Sequence, residues 1–213
     1  MRAVIFDLWD TLVEWPPVEG ERIVALLAGL SSLPVDAFEP TLRASYRALN
    51  TTPLTDALRS LGIAEAHLSA AVSAHHELAR RTLRLRPGAR EAIDALRRRG
   101  LALGMISVCS EDVPALWPET DLAGLFDVET FSATCGLMKP DPEIYLLTLD
   151  GLGVAPGDCL FVGDGANDEL AGAARVGIEP VLYLPAGTNC RWPNLQDWRG
   201  LQVSSLHEVV ALC

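Results

Sequence analysis

Short unbroken apolar runs alternate along this chain with longer stretches whose apolar residues recur every three or four positions. The first run, Ala3-Val4-Ile5-Phe6, ends on Asp7 and a polar turn. A run this short, bounded by turn residues, is the pattern of a strand buried on both faces of a parallel sheet. Similar runs predict strands over residues 101–107, 159–163 and 180–184; further strands are expected over 126–132 and, at a short edge, 202–203. Helical periodicity fills the gaps over residues 89–99, 142–149, 169–176 and 207–212. Gly100 and Gly177 supply the stops that helices commonly use. Strands that alternate with helices predict an α/β fold with a doubly wound parallel sheet.

One region breaks the alternation. From residue 18 to about residue 84 the pattern is helical throughout, with helices predicted over 22–30, 36–49, 53–61 and 64–83. Asp36 is placed to act as an N-cap, and Gly62 as a stop. Four consecutive helices with short connections predict a small antiparallel bundle inserted after the first strand. The stiff Trp15-Pro16-Pro17 connector leads into it, and Arg86-Pro87-Gly88 marks the return. The expected division is a core of residues 1–13 and 86–213 and a helical domain of residues 14–85.

Composition narrows the class. The 213 residues allow one good core and a smaller module, and 49% hydrophobic with 21% charged residues is ordinary for a globular enzyme. A net charge of −11 argues against a nucleic-acid or anionic-membrane partner, which needs a basic footprint. No apolar run reaches membrane-spanning length, and the N-terminus lacks a signal-peptide layout, so a cytoplasmic location is expected. Five scattered cysteines, none in a Cys-x-x-Cys pair, read as reduced thiols and not as a zinc site. The adjacent His75-His76 pair falls on one helix, where neighbouring residues do not share a face. A solvated face is expected there, and a metal site is not.

The chemistry gathers at the carboxyl ends of the predicted strands, which in a parallel sheet lie along one edge. The first strand ends in Asp7, the second in Ser107 and the fourth in Asp164, with Asn167 and Asp168 just beyond. Lys139 lies between the third strand and its helix. Carboxylates with a hydroxyl and one lysine suit a hard cation such as Mg²⁺ and a phosphoryl group beside it. A carboxylate in such a site can also act as a nucleophile.

Four segments, in order, carry a resemblance that covers essentially the whole chain. They are Phe6-Asp7-Leu8-Trp9-Asp10-Thr11-Leu12, Met105-Ile106-Ser107, Lys139-Pro140-Asp141-Pro142 and Val162-Gly163-Asp164-Gly165-Ala166-Asn167-Asp168. Together they resemble the haloacid dehalogenase superfamily of hydrolases, in the subgroup with a helical cap inserted after the first strand. The resemblance implies a Rossmann-like core under an all-helical cap domain, and a small-molecule substrate, a phosphorylated metabolite. It implies Asp7 as nucleophile and metal ligand, Ser107 as hydrogen-bond donor to the transferred group, and Lys139 as the neutralising cation. Asp164 would bind Mg²⁺ with Asp168 close by, Asn167 would orient the lysine or the loop, and Thr11 and Asn167 would join Ser107 in binding substrate. A monomer or homodimer is expected.

Trp9 departs from the pattern. Phosphatases of the superfamily usually carry there a second aspartate that protonates the leaving oxygen and later activates water. Trp9 can offer its carbonyl to the metal and its ring to the substrate, but no proton. Dehalogenases of the superfamily carry an aromatic residue there, yet lack the aspartate that this chain keeps as Asp164. Asp10 is the candidate replacement acid/base, a role that needs a reshaped turn, and capping of the following turn is its default role. The expectation is a Mg²⁺-dependent hydrolase of small phosphorylated metabolites. Its rivals are a 2-haloacid dehalogenase, a phosphonate hydrolase and a catalytically impaired binding protein.

Overall fold

The computed structural model describes Met1–Cys213. Six strands, β1 (Ala3–Asp7), β2 (Ala102–Ser107), β3 (Val128–Phe131), β4 (Cys159–Gly163), β5 (Glu179–Tyr183) and β6 (Leu201–Val203), form one sheet. Their order is β3-β2-β1-β4-β5-β6, and every pairing is parallel. β1 is central, with Asp7 level with Ile106 of β2 and Phe6 level with Val162 of β4. The functional ends of β1, β2 and β4 are therefore neighbours.

Alternation along β1 divides the core into two layers. Val4 and Phe6 join a buried cluster with Ile93, Leu96, Met105 and Val209. Ala3 and Ile5 face the opposite cluster, with Ile144, Leu149, Phe161 and Leu170. The helices α6 (Ala89–Arg98) and α11 (Leu206–Leu212) cover the first layer, and α9 (Pro142–Leu152) and α10 (Glu169–Arg175) the second.

The insert contains α1 (Pro17–Ser31), α2 (Val35–Ala44), α3 (Tyr46–Thr51), α4 (Leu54–Ser60) and α5 (Leu68–Thr82). It has its own buried cluster around Leu27, Phe38, Leu54, Leu58 and Ile63. The last turn of α5 crosses over: Ala79 and Leu83 pack with the sheet's first layer.

Two helical details correct the sequence reading. The single helix expected over 36–49 is two, because Ser45 leaves helical geometry at φ −92°, ψ 5°. Leu42 and Leu49 pack against the same cluster on either side of the break, so the periodicity runs through it. Asp36 is not the N-cap. Extended Pro34 holds that place, and Asp36 lies in the first turn, where its charge suits the helix dipole. The short helices α7 (Asp112–Leu116) and α8 (Ser132–Cys135) span too few residues to show a period. No single helix is long and apolar enough to cross a membrane. All five cysteines are free thiols, with Cys109 and Cys159 buried.

Candidate active site

Lys139 is the hub of the sheet edge. Its Nζ donates to Asp7 Oδ1 and, at 2.5 Å, to Glu169 Oε2. All three side chains are buried, Glu169 completely. The second oxygen of Glu169 accepts the Gly165 N–H at 2.9 Å, and the ring of Phe161 lies 5.4 Å from the ammonium. Glycine is required at 163 because a Cβ there would come within 2.1 Å of Glu169 Oε1. The carboxylate packs against the backbone at the end of β4.

The charges at Lys139 do not balance, since one ammonium meets two buried carboxylates, Asp7 and Glu169, with Asp164 close by. Burial pushes the Asp7 carboxyl up to about 6, with Lys139 opposing and the charge of Asp164 adding. Burial, then the charge of Asp7, push Glu169 up to about 8 against the pull of Lys139. For Lys139, burial favours the neutral amine, but Asp7 and Glu169 outweigh it and hold the ammonium charged. Oδ2 of Asp7 is buried and has no hydrogen-bond partner, an arrangement that costs free energy unless a ligand completes it. One oxygen from each of Asp7, Asp164 and Glu169 lies within 4.8 Å of the other two. The donor set, all oxygen and with excess negative charge, fits a hard divalent cation.

The loop after β4 decides which acids join. Asp164 is half-buried: Oδ1 accepts the Ala166 N–H at 3.1 Å and Oδ2 the Trp192 Nε1–H at 3.0 Å. Arg191 reaches the same Oδ2 at 3.4 Å. Asn167 and Asp168 both take left-handed backbone, at φ 55° and 53°. Two such residues in succession turn Asp168 outwards, where its carboxylate accepts from Asn194 Nδ2 at 2.6 Å. Asp168, expected beside the metal, is therefore replaced in the acidic cluster by Glu169.

Residues 1–177 match the family of haloacid dehalogenase-like hydrolases. The chain belongs to this family. It is 29% identical to phosphoglycolate phosphatase 1 of Pseudomonas aeruginosa over 98% of this chain and 78% of that protein. The fold matches that of a phosphatase from Thermococcus onnurineus with TM-score 0.73 and 21% identity, over 100% of this chain and 97% of that one. It also matches a 2-haloacid dehalogenase from Pseudomonas syringae with TM-score 0.68 and 22% identity, over 100% and 98%.

The remaining expected residues of this hydrolase divide into two groups. Ser107 and Thr11 lie fully buried at the sheet edge with unpartnered hydroxyls. The others face the insert or the turn. Asn167 is exposed, and its Nδ2 donates to Tyr46 Oη at 3.2 Å, linking the β4 loop to α3. Arg47 adds a second link, to Asp141 at 2.6 Å. Asp10, the candidate acid/base, sits at φ 58° with both oxygens engaged. One accepts the Trp15 N–H at 3.1 Å and the other the Arg191 guanidinium. It holds the turn, in line with its default role. Trp9 packs edge-to-face on Trp15, with ring centroids 5.1 Å apart.

Glu169, Tyr46, His75 and Arg191 were not among the sequence candidates. Glu169 had a signal: helical spacing puts it on the same face as Gly172 and Ala173, and that face is buried. His75 corrects the solvated-face expectation. It is buried, with Nδ1 facing Asp112 Oδ1 at 3.7 Å, and lines a cavity between the insert and the sheet edge.

Proposed function

We propose that this hydrolase cleaves small phosphomonoesters through a phosphorylated Asp7, with Mg²⁺ as cofactor. The observation that carries the proposal is the cluster of Asp7, Asp164 and Glu169 beside the buried Lys139, in which one Asp7 oxygen is left without a partner. Similarity to a phosphoglycolate phosphatase supports the reaction class.

In this reading the free oxygen of Asp7 attacks phosphorus. The P–O bond to the organic group breaks, and that group leaves as an alkoxide or phenolate that takes its proton from water. Water then attacks the aspartyl phosphate, releases inorganic phosphate and restores the carboxylate. Lys139 fixes the other Asp7 oxygen, and Glu169 fixes Lys139. The Ser107 hydroxyl, free and buried, donates to the transferred phosphoryl group. Asp7 and Asp164, with the Trp9 carbonyl, would hold Mg²⁺, which supplies charge neutralisation at the phosphoryl oxygens. The helices of residues 14–85 act as a cap over a core of residues 1–13 and 86–213, and exclude water from the reaction.

Trp9 supports a second reading. A halide leaves without a proton, so an aromatic residue at this place would not impair displacement of halide from a 2-haloacid. Retention of Asp164 weighs against it. The test is a panel of p-nitrophenyl phosphate and 2-chloropropionate, each with Mg²⁺ and with EDTA. Mg²⁺-dependent release of nitrophenolate, reduced by Asp164→Asn, is the expected result. Haloacid turnover in EDTA with no phosphatase activity would replace the proposal with the dehalogenase.

A further inference from the structure

The cavity between the helical insert and the sheet edge has a volume of about 450 Å³, within the range of small-ligand pockets. Trp9, Asp10, Val108 and Cys109 form the side nearest the catalytic cluster, so the cavity adjoins the place where the organic part of a substrate would lie. Thirteen of its nineteen lining residues are apolar, among them Trp15, Ile23, Leu27, Leu42 and Leu49. The two carboxylates on its wall are Asp10 and Asp112, and no lysine or arginine lines it. Of the two ring nitrogens of His75, Nδ1 faces Asp112 Oδ1 at 3.7 Å and Nε2 is buried without a partner.

The nearest arginines are engaged elsewhere. Arg86 and Arg191 line a separate cavity that shares only Asp10 and Trp15 with this one. Arg191 is held by Asp10 and Asp164, and Arg86 by Glu14 and the carbonyls of Asp10 and Thr11. Arg47, next to Tyr46 on the cavity wall, is turned to Asp141. A carboxylate on the substrate would be desolvated among apolar walls and two acids with no cation to meet it, which is costly. An aromatic or branched alkyl group would bury its surface there at a gain.

We infer that the organic group of the substrate is apolar and carries no anionic group of its own, and that this cavity selects it. The inference rests on the phosphomonoester reading and narrows its substrate class. It also sets the chain apart from the relative whose name specifies phosphoglycolate, a carboxylate-bearing ester.

The experiment compares two non-hydrolysable probes, benzylphosphonate and phosphonoacetate, by calorimetric titration in the presence of Mg²⁺. Benzylphosphonate should bind at least about tenfold more tightly, as the ring is buried and the carboxylate is not welcomed. Leu49→Arg should shrink or invert that ratio by placing a cation on the wall, with Ile23→Arg as the second variant if circular dichroism shows the first unfolded. Equal binding, tighter phosphonoacetate or no binding of either probe would overturn the inference. Hydrolysis of p-nitrophenyl phosphate by the same preparation is scored separately. Activity there with the wrong probe order refutes the cavity assignment alone. No activity there refutes the phosphatase reading, whatever the probes do.

Discussion

Two regions meet at Trp9 and Asp10 and follow opposite rules. On the sheet side, Lys139 is buried against two carboxylates, and the local charge is high and dry. On the helix side, the cavity is mostly apolar and offers no cation. The first region is costly to build, since it buries two carboxylates against one ammonium. The second is built like a protein core with space left in it. In the proposed function the difference separates two tasks: strand ends fix the atom that reacts, and helix faces choose what is attached to it.

The largest effect that breaks this contrast comes from removing the hub. Lys139→Met leaves Asp7 and Glu169 buried without a cation, and should destabilise the fold by about 3–5 kcal/mol in denaturant unfolding. Adding Glu169→Gln to that variant should recover part of the loss. A Lys139→Met protein as stable as the parent would mean that the cluster does not hold the sheet edge together.

A smaller effect sharpens the boundary. Trp9→Asp would restore a proton-transfer group beside Asp7, and general acid–base catalysis is typically worth about 10²- to 10⁴-fold. Steady-state hydrolysis of p-nitrophenyl phosphate should rise by about tenfold or more, the shortfall reflecting the space left by the indole. Asp10→Asn should change that rate little, since both oxygens of Asp10 are already committed to the turn. Brisk hydrolysis of alkyl phosphates that is abolished by Asp10→Asn would instead make Asp10 the acid/base.

The smallest effect concerns the cavity wall. Burial pushes the Cys109 thiol up to about 12, so it stays protonated at neutral pH. The thiolate is the reactive form. Iodoacetamide at pH 8 should therefore alkylate half-buried Cys135, Cys190 or Cys213 well before Cys109, as peptide mapping would show. Rapid labelling of Cys109 would show that the cavity wall opens.

The centre of the sheet was legible because β1, β2 and β4 are nearly continuous apolar runs, and Cys159–Gly163 needed no correction. Asp7, Ser107, Lys139 and Asp164 were legible because the parallel order puts their strand ends side by side. The exchange of Asp168 for Glu169 was not. It depends on Asn167 and Asp168 both taking positive φ, a choice that side-chain chemistry permits but spacing does not reveal. His75 was hidden for a different reason. Its burial depends on where α5 lies against α7, which is a tertiary contact and not a periodicity. Arg191 comes from the connection between β5 and β6, far in sequence from the Asp10 it holds.

Phosphoryl transfer through Asp7 is tested most directly by intact-protein mass spectrometry after rapid mixing with p-nitrophenyl phosphate and Mg²⁺. Nitrophenolate can leave without a proton, while the hydrolytic step lacks a carboxylate to activate water. The expected result is a burst of about one nitrophenolate per active site, with the mass of one phosphoryl group added to the protein and lost from the Asp7→Asn variant. Linear turnover in EDTA, with no adduct at any time and full activity in Asp7→Asn, would contradict it.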